Sequence, residues 1–203
     1  MKTESLGEKI ESMIQKMPAS EVTLFEIMDI VGSDGLLLLT IFLSLIFLVP
    51  VSIPGVSTVF GSAMLLIGIT RLFSGKLWLP EIIGARKLSS EKLVAGFNKA
   101  LKWFHRLEKV SKPHRFSVLA SSGVFVVFND LSFILAALLV MMPFGLIPFS
   151  NTLPAVASNF LAIGMMQRDG VCILFGHLMN LATIAYFGFI VIGGGWSILQ
   201  ILS

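Results

Sequence analysis

The sequence predicts an all-α fold, that of a polytopic helical membrane protein with two proline-broken helical hairpins. The 203 residues are 55% hydrophobic and 13% charged, with a mean hydropathy of +0.89, whereas a soluble domain usually carries about twice that charged fraction. Two long apolar stretches, residues 36–73 and 131–166, are interrupted by prolines. Residues 171–192 form a plain transmembrane span, which the glycines at 193–195 are expected to end. We expect residues 1–203 to form a single membrane domain.

The N-terminal residues 1–35 have the pattern of two short amphipathic helices that pack on the cytoplasmic face of the protein. Pro18 is expected to end the first helix, Ser20 to cap the second and Gly32 to stop it. The segment begins with polar and charged residues and has no apolar core, so the sequence predicts no cleaved signal peptide.

The first hairpin is predicted over residues 36–73. Its first arm, residues 36–49, would reach only about 21 Å as a helix, less than the roughly 30 Å of bilayer hydrocarbon. Pro50 and Pro54 separate it from the second arm, residues 55–73. Irregular backbone at membrane depth is stable only where protein buries it or where it lines a wet cavity. The sequence leaves a re-entrant hairpin and two full crossings both open.

Residues 74–115 form a basic loop. From Arg71 to Arg115 there are eleven Lys and Arg, against three acidic residues. The positive-inside rule places such a loop on the cytoplasmic side of a bacterial inner membrane. Within it, residues 88–111 have the stripe of an amphipathic interfacial helix. The expected partners are the lipid bilayer and its anionic headgroups, and nucleic acid is not expected.

Residues 116–166 form the second half of the chain. An apolar run from Phe116 is expected to stop at Asn129 and Asp130, after which residues 131–166 repeat the order of arm, proline-rich break and arm. The arms also end alike, with LLIGITR in the first hairpin and LAIGMMQR in the second. Paired proline-interrupted segments are typical of transporter-like internal repeats with a central site. Whether the repeat is parallel or inverted stays open.

Polar residues at the two breaks are the candidate substrate-binding site. Hydroxyls and amides in membrane sequence are costly unless they meet each other, backbone, water or a ligand. Helix N-termini after the breaks would also point their positive dipole ends there, which suits an anionic group. The alternative is that these residues only cap the broken helices. The candidate set is Ser52, Pro54, Gly55, Ser57, Thr58, Pro148, Ser150, Asn151, Pro154 and Asn159.

A second candidate group is a polar and charge network at the edges of the apolar segments. Asp130 is expected to pair with Arg71 or Arg168, and Asp169 to act as a helix cap or as the partner of an arginine. His177 lies inside the last span with Asn180 one turn later. It is either hydrogen-bonded to a helix neighbour or part of a proton relay. The set is Arg71, Asp130, Arg168, Asp169 and His177.

Signatures of an enzyme are missing from the sequence. It contains no phosphate-binding GxxxxGK[ST] loop, no HExxH and no GxSxG. Cys172 is the single cysteine, which excludes an intrachain disulfide and a multi-cysteine metal site. We therefore expect a protein that is not an enzyme, with no catalytic residue, no metal and no cofactor.

Several short motifs, in their order and spacing, resemble a known family. Over residues 20–192 the chain is similar to the exopolysaccharide synthesis protein ExoD family of bacterial inner-membrane proteins. The resemblance implies a link to exopolysaccharide production, and it supplies no catalytic residue and no substrate. Arg71 departs from the pattern, since family members tend to carry Gln there. The matching motifs are Val22-Thr23-Leu24, Gly32-Ser33-Asp34-Gly35, Pro54-Gly55-Val56-Ser57-Thr58, Trp78-Leu79-Pro80, Pro148 with Asn151, Pro154-Ala155 and Arg168-Asp169-Gly170.

Two functions from different classes remain. In the first, the chain is a membrane factor in exopolysaccharide synthesis or export that binds or translocates an anionic or lipid-linked substrate at the paired breaks. In the second, it is a structural scaffold that forms a homodimer and recruits polysaccharide-pathway proteins through its basic loop.

Overall fold

The computed structural model describes residues 6–18, 20–48, 55–73, 87–91, 114–121, 123–144 and 147–202, together with residues 85, 94 and 98. The described chain is mostly helical, as predicted, but most of the amphipathic helix predicted at 88–111 lies outside the described residues. The elements are α1 (Leu6–Lys16), β1 (Glu21–Thr23), α2 (Leu24–Leu45) with a 3-10 turn (Ile46–Leu48), α3 (Val56–Phe73), β2 (Lys87–Ser89), α4 (Val118–Ser121), α5 (Gly123–Val140), α6 (Thr152–Gln167) and α7 (Gly170–Leu202).

A short two-stranded ribbon ties the start of α2 to the basic loop, a feature that the all-α prediction did not contain. β1 pairs antiparallel with β2, so that Val22 lies opposite Leu88, and Val22 is fully buried. The exposed side chains of Glu21 and Lys87 add an ion pair of 3.3 Å.

Helix α2 begins at a capping box, and the cap predicted at Ser20 is wrong. The Thr23 hydroxyl accepts a hydrogen bond from the Glu26 backbone N–H at 3.2 Å. The Glu26 carboxylate in turn accepts from the Thr23 backbone N–H at 2.8 Å and from its hydroxyl at 2.9 Å. These two bonds to Thr23, the backbone one first, lower the pKa of Glu26.

The stop predicted at Gly32 is also wrong, because α2 runs through it to Leu45. One glycine costs a helix only about 1 kcal/mol, and the turns beyond Gly32 are held by tertiary packing. Leu36, Leu37 and Ile41 are buried in the main apolar core.

Three helices are long and apolar enough to cross a membrane: α3, α5 and the Gly170–Gly193 part of α7. A shorter apolar helical stretch, Asp34–Leu48, lies on α2 and its 3-10 turn. Their outer faces carry large apolar side chains that the protein leaves uncovered, such as Val59, Val124 and Phe189. Such extensive apolar surface is stable against lipid. The chain is therefore a membrane protein.

Helix α6 lies at the centre of the bundle, where it packs against α2, α5 and α7. Small side chains permit this, since Ala155, Ala157 and Ser158 are fully buried. On the facing side of α7, a Cβ at Gly176 would lie 2.6 Å from the Cγ atom of Leu161. Close helix contact through small residues is the usual packing mode inside membranes.

The two hairpins pack as a pair. The first consists of α2 and α3, the second of α5 and α6, and the first arm of each contacts the second arm of the other, α2 on α6 and α3 on α5. At the α3–α5 contact, a Cβ at Gly68 would lie 3.0 Å from a ring carbon of Phe133. The internal repeat and the re-entrant geometry remain predictions, because this packing tests neither.

Besides α2, two further helices continue where the sequence suggested a stop. α5 runs through Asn129 and Asp130, both buried, as one helix of 18 residues. Neighbouring helices supply the polar partners that these two side chains need. α7 likewise continues through residues 193–195 to Leu202. In an apolar environment the backbone stays helical because unpaired N–H and C=O groups are expensive there.

Candidate functional site

Two groups of buried polar side chains contain candidate site residues. The break site consists of Ser150 and Asn151, which directly precede α6 in the second break. The polar cluster lies between α3, α5 and α7, and its buried or half-buried members are Arg71, Asn129, Asp130, Ser132, His177 and Asn180.

Both side chains of the break site are buried, and each has an oxygen atom without a hydrogen-bond partner within the described part of the chain. Ser150 exposes 1% of its surface and Asn151 8%, and Ser150 Oγ and Asn151 Oδ1 are both unpaired. Asn151 is the N-cap residue of α6, yet its side chain makes no capping hydrogen bond. The side chain of Asn151 therefore does not cap α6 through a hydrogen bond. Two unsatisfied polar groups of this kind cost about 1–3 kcal/mol each.

The second break lies beside the end of the first arm. The Thr152 hydroxyl donates to the Phe47 carbonyl O at 2.8 Å, and Phe47 lies just before the first break. About two turns further along α6, Asn159 Oδ1 accepts from the Ser44 hydroxyl at 2.9 Å, and Asn159 Nδ2 donates to Ala155 O at 3.0 Å. Asn159 therefore uses both ends of its amide within the protein. Of the first-break candidates, Ser52 and Pro54 lie outside the described residues.

The remaining break residues differ in exposure. Gly55 is exposed and turns the chain into α3 with a φ of +85°, a conformation that favours glycine. In the first turn of α3, Ser57 is half-buried and Thr58 is exposed.

Prolines of the second break have separate roles. Pro148 is exposed, and its carbonyl O accepts a hydrogen bond from the Tyr186 hydroxyl of α7 at 2.7 Å. Pro154 is buried in the first turn of α6, where its missing N–H removes no helical hydrogen bond. The Tyr186 contact ties the break to α7.

An ion pair joins α3 to α5 in the polar cluster. Arg71 Nε donates to Asp130 Oδ1 at 3.0 Å, and the two side chains expose 14% and 4% of their surface. Arg71 was one of the two partners that the sequence offered for Asp130. Arg71 Nη2 also lies 3.8 Å from the Met165 sulfur of α6, so this arginine contacts both arms of the second hairpin.

A chain of hydrogen bonds joins α5 to α7. His177 Nε2 lies 3.0 Å from Asn129 Oδ1, and His177 Nδ1 lies 2.8 Å from Ser132 Oγ. Asn180 Nδ2 donates to the Ser132 carbonyl O at 2.8 Å and to its Oγ at 2.9 Å. At the other end, Asn129 Nδ2 donates to Leu119 O at 2.7 Å. The partners of His177 thus lie on a neighbouring helix.

Asp169 caps α7 and pairs with an arginine that the sequence did not suggest. Its Oδ1 accepts from the Val171 backbone N–H at 2.9 Å. Arg115 adds two bonds, Nε to Oδ1 at 3.2 Å and Nη2 to Oδ2 at 3.1 Å. Arg168, the neighbour in sequence, is instead exposed as the left-handed C-cap of α6, with a φ of +55°.

Sequence reasoning missed Asn129, Ser132 and Arg115 as members of these sites. Asn129 and Ser132 are three residues apart, as are His177 and Asn180, so each pair lies on one helix face. This spacing was the available signal. No local pattern points to Arg115, which lies 54 residues from Asp169.

The chemistry open to the two sites differs. The break site offers a hydroxyl, an amide and the N–H groups at the start of α6, which together can bind an anionic or hydroxyl-bearing group. The polar cluster offers a balanced ion pair and a titratable imidazole. Within the described ranges, no group of three or more His, Cys, Asp and Glu side chains could hold a metal ion.

Comparison with known proteins decides the family, because the family model described as exopolysaccharide synthesis, ExoD, matches residues 6–189. The chain belongs to the ExoD family. It is 40% identical over 183 residues to Protein ExoD of Rhizobium meliloti, covering 90% of this chain and 76% of that protein. It is 27% identical over 188 residues to an uncharacterized protein of Synechocystis, covering 90% and 86%. No solved structure matches the chain.

Proposed function

We propose that this ExoD-family membrane protein acts in exopolysaccharide synthesis or export by binding a lipid-linked or anionic substrate at the break site. It does so through noncovalent contacts, without enzymatic chemistry. The observation that carries the proposal is the pair of unpaired buried groups, Ser150 Oγ and Asn151 Oδ1. A bound substrate group that hydrogen-bonds to them removes their desolvation cost, which gives substrate binding a favourable free energy.

Hydrogen bonds and the helix dipole would carry the recognition. No charged residue lies between Asp34 and Arg71 or between Asp130 and Arg168, so no side-chain charge within these two stretches competes with the break site. Ser150 can donate or accept, the Asn151 amide can do both, and the N-terminus of α6 favours negative charge. A phosphate or sugar headgroup on a lipid carrier has this chemistry, with the lipid tail remaining in the bilayer.

The position of the break site along the bundle fits an export step. α3 runs from the first break to the basic loop, and α6 runs from the second break to Asp169, which binds Arg115 of that loop. Both breaks therefore lie at the end of the hairpins opposite the loop. With the protein in a bacterial inner membrane and the basic loop on cytoplasmic anionic headgroups, the break site faces the outer side.

The test is exopolysaccharide secretion by bacteria in which this chain is the only ExoD-family protein. A Ser150→Ala, Asn151→Ala double variant loses two polar contacts of roughly 1 kcal/mol each, so secretion at limiting substrate should fall about tenfold or more. The matched controls are Ser121→Ala and Asn98→Ala, whose side chains are exposed. They should secrete normally, and immunoblots of membranes check that all variants accumulate equally.

Normal secretion by the double variant at normal abundance would remove the site assignment. Loss of secretion only on deletion of residues 88–111, together with loss of partner pull-down, would favour the scaffold that recruits pathway proteins through the basic loop. Binding of a polyprenyl phosphate to the purified protein, measured by native mass spectrometry, separates these outcomes. The break-site proposal expects binding by the wild type and the controls, and weaker binding by the double variant.

A further inference from the structure

His177 is the one histidine placed in a predicted transmembrane span, since His105 and His114 belong to the basic loop. Ionisable residues in spans are costly and mark functional sites more often than ordinary surface residues do. His177 is not part of the break site. The hydrogen bonds around His177 show which of its ring nitrogens carries a proton and which can accept one.

The directions of the hydrogen bonds around His177 are fixed by the amides of Asn129 and Asn180 at the two ends of this hydrogen-bond chain. Asn129 Nδ2 must donate to the Leu119 carbonyl, so Asn129 presents its acceptor Oδ1 to His177 Nε2. Asn180 Nδ2 likewise donates to the Ser132 carbonyl, which fixes that amide. His177 Nε2 therefore carries a proton. In the neutral ring Nδ1 is then the acceptor of the Ser132 hydroxyl proton.

We propose that His177 is a proton-binding site inside the membrane, with Nδ1 as the atom that takes up the proton. On protonation, Nδ1–H donates to Ser132 Oγ across the same 2.8 Å contact. The Ser132 hydroxyl proton turns to another acceptor, such as a carbonyl of its own helix one turn earlier, as helical serines commonly do. Ser132 Oγ keeps the bond from Asn180 Nδ2. One hydroxyl rotation thus keeps both ring nitrogens of His177 and Ser132 Oγ hydrogen-bonded in both charge states.

The charged groups on the helices around His177 are paired with each other, so they add no net charge that would oppose its protonation. On α5 and α3, Asp130 and Arg71 balance each other in their ion pair. At the start of α7, Asp169 and Arg115 form a second pair. α6 carries no titratable side chain along its length, and neither does α4. On α7 itself, Cys172 and Tyr186 are the other titratable side chains of the described span.

The end of α7 next to the basic loop is the nearer end of that helix to His177. His177 lies seven residues from the first residue of α7, which is about 10 Å along the helix axis. The hydrogen-bond chain reaches Leu119 in α4, which precedes α5 on that side. A proton-loaded His177 gives α7 a positive charge where it contacts α5. The same helix holds the second break through Tyr186 and Pro148.

The test is ¹⁵N NMR of the imidazole ring in the full chain in lipid nanodiscs, in a His105→Gln, His114→Gln background that leaves one histidine. At about pH 8 the ring should show a protonated Nε2 and an unprotonated Nδ1. On acidification to about pH 4 the Nδ1 resonance should move to the protonated position, reversibly. A His177→Gln variant, which should fold, must lose this resonance.

Outcomes that overturn the proposal are specific. A ring that stays neutral over the whole range, or one that carries its neutral proton on Nδ1, means that His177 only holds α5 to α7. Protonation that coincides with loss of the native backbone resonances means the same. Because no polysaccharide substrate enters this measurement, its result stands apart from that of the secretion assay.

Discussion

The break site and the polar cluster are two buried polar regions of one apolar bundle, and they differ in how their hydrogen bonds are met. In the polar cluster, Arg71 and Asp130 bind each other and both ring nitrogens of His177 have partners, and Asn180 Oδ1 alone of the cluster's side-chain atoms is buried and unpaired within the described chain. In the break site, Ser150 Oγ and Asn151 Oδ1 have none within the described chain. Burial in the two regions is similar, so burial alone does not separate them.

The polar cluster therefore holds helices together, whereas the break site has polar groups that no described residue of the protein satisfies. Satisfied polar groups between helices specify one arrangement of α3, α5 and α7, because any other arrangement would leave charges unpaired in an apolar environment. Unsatisfied groups contribute nothing to that arrangement and carry a desolvation cost. A site whose polar groups gain hydrogen-bond partners only from a ligand is expected to carry such a desolvation cost in the free protein.

Breaking the ion pair should have the largest effect on stability. Arg71→Met leaves the Asp130 carboxylate buried without its cation, and loss of one partner of a buried pair typically costs about 3–5 kcal/mol. The free energy of unfolding in detergent micelles, measured by chemical denaturation, should fall by an amount in this range. The double variant Arg71→Met, Asp130→Leu should recover much of the loss, since it leaves no charge behind.

A loss no larger in Arg71→Met than in an exposed control such as Lys87→Met would show that the pair is not holding α3 to α5. The control is apt because Lys87 forms an exposed ion pair with Glu21, and exposed pairs contribute about 0–1 kcal/mol.

Matched serine-to-alanine variants compare the two regions directly. Ser132→Ala removes the partner of His177 Nδ1 and of Asn180 Nδ2, so it should destabilise the protein by about 1–2 kcal/mol. Ser150→Ala removes a buried hydroxyl without a partner, so its unfolding free energy should stay unchanged or rise slightly. Both are measured by the same denaturation. Equal losses in the two variants would mean that Ser150 has a structural partner after all, and the comparison would fail.

Sequence reasoning reached the membrane class from composition and the family from short motifs, and it offered Arg71 as one of two partners for Asp130. It failed at Asn129, where a polar pair in an apolar run suggested a helix end. The helix continues because His177 and Leu119, far away in sequence, supply the hydrogen bonds. Sequence reasoning missed Arg115 for the same reason, because its partner Asp169 lies 54 residues away. The break residues were chosen for their polarity, but which of them lack partners depends on tertiary contacts, as Asn159 and Ser44 show.

The smallest expected effect concerns helix N-termini, where α2 and α6 repeat the contrast between satisfied and unsatisfied groups. Thr23 caps α2 reciprocally with Glu26, whereas Asn151 caps α6 with no side-chain bond. The pKa of Glu26 is lowered in the folded chain, so its charged form favours folding. That contribution is present above the pKa of the unfolded chain, about 4.3. It is lost as the pH falls through the lower folded value.

A Glu26→Gln variant tests whether the charged Glu26 carboxylate stabilises the fold, through the pH dependence of the unfolding free energy. Its unfolding free energy should lie slightly below that of the wild type near neutral pH and should meet it at acidic pH. High salt should narrow the gap because Glu26 is exposed and its charge is screened. A gap that widens on acidification would mean that the carboxylate opposes folding. The Thr23 hydroxyl would then be the only side chain whose hydrogen bond stabilises the start of α2.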